Sequence, residues 1–162
     1  MRPVCRVAEL GSLAMTTFAA DCSDEEIRKA VVEWSELLAQ GKYAAALGMF
    51  PHTSESFGFE WTPAHLEDWI SNYGCARKDY DSGEYRKITS LFEQPNSEQF
   101  IRKAIRVDRE HLFGLDPRQY VGMVHYDDVP LDGEPSDLTA RFHIKRVDGS
   151  AITLEFLDIH VM

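Results

Sequence analysis

LTARFHIKRVDGSAITLEFLDIHV, residues 138–161, carries the clearest pattern in the chain. Leu138, Ala140, Phe142 and Ile144 fall on one face of an extended segment; Thr139, Arg141, His143 and Lys145 fall on the other. Successive strand side chains point to opposite faces, so this alternation predicts a half-buried antiparallel strand over 138–146. Asp148-Gly149 supplies what a tight hairpin turn needs, and Ala151 to Val161 reads as the returning strand. Within it Ile152, Leu154 and Phe156 share a face. Regular continuation places Asp158 and His160 on that same inner face, as a pair able to orient an imidazole for general-base work. A bulge near Phe156 would instead turn Leu157, Ile159 and Val161 inward and the polar pair outward. The one-residue slip buries three aliphatic side chains, so the bulged register is the expected one. The candidacy of Asp158 and His160 as catalytic residues depends on the unbulged one.

Moving toward the N-terminus, Asp127 to Ser136 holds two prolines and a glycine and reads as a long turn. Tyr120 to Tyr126 is a strand. Arg86 to Glu93 and Gln99 to Val107 are expected as two more, joined around Pro95-Asn96. Residues 75–84 are polar loop. Before them the period changes to that of helices. Ser23 and Glu26 form a capping box, with Asp24, Glu25 and Glu26 where the helix dipole favours negative charge. Ile27, Val31, Trp34 and Leu38 recur at helical spacing, and Gly41 stands where a C′ residue would. Tyr43 to Phe50 is a short Ala-rich helix stopped by Pro51. Thr62-Pro63 opens a third helix carrying Leu66, Trp69, Ile70 and Tyr73.

Three helices followed by about five strands make an α+β chain, with N-terminal helices packed on a curved antiparallel sheet. Trp34, Leu38, Trp69 and Phe142 are expected to bury together. The domain is expected over residues 23–162, with residues 1–22 as a loosely held arm; Met15 could be the natural start, leaving residues 1–14 outside the protein. The opening over residues 23–50, a long helix, a glycine and a short Ala-rich helix, resembles that of the nuclear transport factor 2-like (cystatin-like cone) superfamily. The runs YDDVPLDGEPSDLTARFHIKRVDGSAITLEFLDIHVM at 126–162 and WTPAHLEDWISNYG at 61–74 are similar to a family of small bacterial proteins of unknown function. The first resemblance implies a cone with a pocket, and homodimerisation through the outer sheet face, with Arg141, His143 and Lys145 near the interface. Neither resemblance implies a catalytic residue.

The 162 residues suffice for one domain with a real core, and an apolar content of 44% excludes disorder by composition. A net charge of −10 repels nucleic acid and anionic membranes. No apolar run is long enough to span a bilayer or to serve as a secretory h-region. Cys5, Cys22 and Cys75 are odd in number and widely spaced, which fits a reducing, cytoplasmic compartment and offers no zinc site. His125, His143 and His160 fall on expected strands, yet no ligand spacing such as HExxH is present, so no metal and no cofactor are expected. Phosphate-binding glycine loops and a GxSxG elbow are also missing.

Three functions remain open. The leading one is non-catalytic binding of a small apolar ligand or a partner in the cone, with Trp61, Trp69, Tyr73, Tyr126 and His143 as candidate ligand-binding residues. The second is an immunity-type interaction in which the charge and the acidic run 127–137 meet a basic protein. The third is a small enzyme using Asp158 and His160.

Overall fold

The computed structural model describes residues 7–10, 13–52, 60–112 and 114–161, with side chains from Met15 onward. Two short strands, β1 (Val7–Leu10) and β2 (Leu13–Thr16), pair as an antiparallel hairpin. Next come β3 (Phe18–Ala19), helices α1 (Asp24–Ala39), α2 (Tyr43–Met49) and α3 (Pro63–Ser71), a 3-10 turn at Leu91–Glu93, and α4 (Ser97–Ala104). Strands β4 (Ile105–Asp108), β5 (Tyr120–Tyr126), β6 (Leu138–Arg146) and β7 (Ala151–Val161) complete the chain. The main sheet has the order β3-β7-β6-β5-β4, antiparallel throughout, and it curls over the helices as a half-barrel.

Helix α1 forms where its caps say it should. The Ser23 side chain accepts from the Glu26 amide and the Glu26 carboxylate accepts from the Ser23 amide. At its other end Lys42 N–H reaches the Leu37 carbonyl and Gly41 N–H the Leu38 carbonyl, a Schellman closure. That closure needs a left-handed residue, and Gly41 has φ +74. The helix buries Ile27, Val31, Trp34 and Leu38 against the sheet.

Two expected strands are corrected. Residues 86–93 are not a strand. Glu36 on α1 accepts from the Ser90 hydroxyl and the Leu91 amide, both at 2.8 Å, which holds this segment to the helix. Only Ile88 makes a bridge, to Leu131. Residues 97–104 are helical rather than extended, because Ile101 and Ala104 recur at i, i+3 and Glu98 pairs with Arg102 at i, i+4. The expected strand survives only as β4. The sheet's fifth member is β3, inside the segment read as an arm: Phe18 pairs with Ile152 and is buried.

The register of β7 slips once. Phe142 faces Phe156 and Arg141 faces Asp158, so Leu157 is the extra residue of a bulge. Ile152, Leu154, Phe156 and Ile159 therefore all reach the core. Val161, expected to join them, pairs with Leu138 at the end of the strand and is 42% exposed.

Between α1 and the sheet lies an aromatic cluster. Trp34 meets Phe142 edge-on at 5.1 Å and Phe156 at 5.3 Å; Phe50 meets Phe142 at 5.8 Å; Trp61 meets Phe156 at 5.3 Å. These five side chains are at most 2% exposed. Each such ring buries a large apolar area, and the edge-to-face contacts of Trp34 and Phe50 with Phe142 add to it. The interior of the curl is thus packed solid where these rings meet.

Candidate functional site

The sheet's second face is polar and unusually well buried. Across β6 and β7 the pairs Thr139–His160, Arg141–Asp158, His143–Glu155 and Lys145–Thr153 stand side by side. Asp158 is completely buried although it points away from the apolar core. Arg141 holds its carboxylate with two nitrogens, Nε at 2.9 Å and a terminal guanidinium nitrogen, and His160 Nδ1 lies 3.1 Å from Oδ1. This carboxylate contact raises the Arg141 pKa further. Three residues earlier on β7, Glu155 receives Lys145 Nζ at 3.0 Å, with His143 Nδ1 at 3.4 Å and the Tyr120 hydroxyl at 3.5 Å. The bond from His143, reinforced by Lys145, holds the Glu155 carboxyl below the usual carboxylate range despite burial. On β5, burial and the nearby Arg106 push His125 down from the ordinary imidazole value.

The Asp–His pair expected from the sequence is adjacent in space, but on the outer face of the curled sheet. Its chemistry differs from that of a general base with an orienting carboxylate. In such a dyad the carboxylate charge stabilises the imidazolium that forms. Here Arg141 already neutralises Asp158. The Thr139 hydroxyl, the side chain opposite His160, donates to Asp127 at 3.1 Å and is not poised as a nucleophile.

The five ligand-binding candidates are dispersed. Trp61 and Trp69 touch edge-on at 5.5 Å, but their indole N–H groups donate to the carbonyls of Leu157 and Ile159. Those carbonyls belong to β7 at its bulge and two residues beyond it. Closer to its start, β3 covers the edge, and the Phe156 amide donates to the Pro51 carbonyl. Among the described residues no strand pairs this part of the edge, and the two tryptophans meet the hydrogen-bonding need of its carbonyls. Tyr73 ends α3 with φ +61, and its hydroxyl accepts from the Asp137 amide. Tyr126 lies in the core with its hydroxyl 2.8 Å from that of Ser35, and burial pushes its pKa far up. His143 belongs to the polar face.

In the acidic turn Asp127 is held by Arg106 at 2.7 Å, and Asp132 accepts from the Lys87 amide at 3.2 Å. Val129 and Leu131 anchor the turn in the core. Asp128, Asp132, Glu134 and Asp137 remain exposed.

The described grooves lie on the outside. One of about 260 Å³ runs between α1, the 3-10 turn and α4, lined by Arg28, Lys29, Val32, Phe92, Ile101 and Arg102 among others. A second, about 250 Å³, lies beside Tyr43, Glu67, Tyr85 and Arg86. A third, about 260 Å³, lies beside Asn72, Cys75 and Tyr80. None of the three is lined by Trp34, Trp61, Tyr126, Phe142 or Phe156. The first groove escaped sequence reasoning because Gln99 to Val107 read as a strand; the Glu98–Arg102 spacing was the available signal. Among the described residues no three His, Cys, Asp or Glu side chains converge as a metal site, and no helix is long and apolar enough to cross a membrane. No protein-family model, curated protein or solved structure matches the chain.

Proposed function

We propose that this chain is a binding domain without chemistry of its own, built as a cone of the nuclear transport factor 2-like kind, whose ligand sits on the outer surface. One observation carries the reading: the aromatic cluster of Trp34, Phe50, Trp61, Phe142 and Phe156 occupies the space where a cone would take a ligand. Opening such a cavity would cost several kcal/mol, roughly 3–5 for each large aromatic displaced. The neutralised Asp158 beside His160 supports the absence of chemistry. A small-molecule library screened by thermal shift, with each hit recovered and analysed after incubation, tests this. The expected result is stabilisation with the ligand recovered unchanged, and with backbone shifts at surface grooves. Turnover abolished by His160→Gln, or shifts centred on the aromatic cluster, would refute it.

A second reading keeps a basic protein as partner, favoured by exposed Asp128, Asp132, Glu134 and Asp137 on one rigid turn in a chain of net charge −10. It requires complex formation that weakens steeply with salt.

A further inference from the structure

We infer that the groove between α1, the 3-10 turn and α4 is a binding site for a small amphipathic monocarboxylate, an aromatic ring or short aliphatic tail carrying one acid group. The inference rests on the binding-domain reading above and names its site and ligand class. Three observations combine. The groove has an apolar floor of Val32 and Ile101, bordered by Phe92, which is 62% exposed. A large ring left in water beside an apolar floor is surface that a ligand can cover favourably.

The rim has a defined charge. Arg28 donates to Glu25 at 2.7 Å and to the Ile105 carbonyl at 3.1 Å, while Arg102 pairs with Glu98 at 3.3 Å. Among the described residues Lys29 makes no ion pair. Two acids thus match two arginines, and one ammonium remains over the apolar floor, in a chain whose net charge is −10. A monoanion satisfies it. A dianionic phosphate would call for a free guanidinium fork or a second free cation, and would be repelled by Glu25 and Glu98.

The volume sets the size. A cavity of about 150 Å³ accepts benzene, and drug-sized ligands need roughly 300 Å³ or more. About 260 Å³ therefore suits one ring with a short acid-bearing tail.

The test is a chemical-shift titration of the full ¹⁵N-labelled chain with 3-phenylpropionate, using 3-phenylpropanamide as the neutral isostere. Saturable shifts are expected at Lys29, Val32, Phe92 and Ile101. Lys29→Gln should weaken the acid about fivefold, the scale of one partly screened ion pair, and leave the amide unchanged. Phe92→Ala, at a position 62% exposed, should weaken both. The absence of saturable shifts at these residues, equal binding of acid and amide, or indifference to Lys29→Gln overturns the inference. Saturation at another surface groove overturns it while leaving the binding-domain reading intact. Conversion of the probe to product would overturn that reading, whatever happens at the groove.

Discussion

Arg141→Met tests the polar face directly. It leaves Asp158, a carboxylate with no solvent exposure, without its guanidinium. Removing one partner of a buried ion pair costs roughly 3–5 kcal/mol, because the surviving charge is stranded. Two features place this case at or below the low end. Arg141 is itself 34% exposed, and His160 still offers Nδ1 to the same carboxylate. A loss of about 2–3 kcal/mol follows, which lowers the melting temperature by about 4–12 °C for a domain of this size. The double variant Arg141→Met/Asp158→Leu replaces the pair with apolar groups of similar volume and should return to within about 1 kcal/mol of wild type. Urea unfolding at pH 7, followed by tryptophan fluorescence, measures both and the Asp158→Leu single. A cost under about 1 kcal/mol for Arg141→Met, or a double variant equal to the sum of the singles, would refute the claim that this charge is buried and held by Arg141.

Trp61→Phe strands the buried Leu157 carbonyl and should cost about 1–3 kcal/mol, with faster amide exchange along the bulged half of β7. Ser35→Ala should cost a similar 1–3 kcal/mol, roughly, by leaving the buried Tyr126 hydroxyl unpaired, whereas Ser35→Ala/Tyr126→Phe should lie within about 1 kcal/mol of wild type; chemical denaturation separates them. Glu155 has a folded pKa below its ordinary value of 4.5, so the unfolded chain binds its proton first as pH falls. Its contribution is complete above pH 4.5 and is lost as pH drops through the folded value; Glu155→Gln should flatten the stability profile in that acid window. His125 is also depressed, from 6.5, so its contribution is present above that pH and is lost as pH falls toward the folded value, a slope that His125→Gln should remove.

The sequence alone determined the elements whose signals are local. The Ser23–Glu26 capping box and Gly41 bounded α1 to the residue, because caps act within one helical turn. The alternation assigned residues 138–145 of β6 to their faces, and the bulge expected near Phe156 is present, although of the three aliphatics expected to turn inward only Ile159 joins the core cluster. Weakly periodic segments were decided elsewhere. α4 is a single short amphipathic run whose apolar residues suit strand or helix alike, and the Glu36 carboxylate on α1 holds the segment before it. β3 is two residues long, too short to carry a period, and exists because β7 offers it an edge.

The candidate site divides the same way. Asp158 and His160 were legible as an adjacent polar pair. The guanidinium that neutralises Asp158 comes from the neighbouring strand, and the outward direction of the pair follows from the bulge. That Trp61 and Trp69 would complete a strand edge was not legible, since the carbonyls they serve lie 96 and 90 residues away. Periodicity and caps are energies between near neighbours, so a sequence displays them. Which edge is left unpaired, which charge is stranded and which groove stays open depend on how distant segments close on one another, and only the tertiary structure settles those contacts.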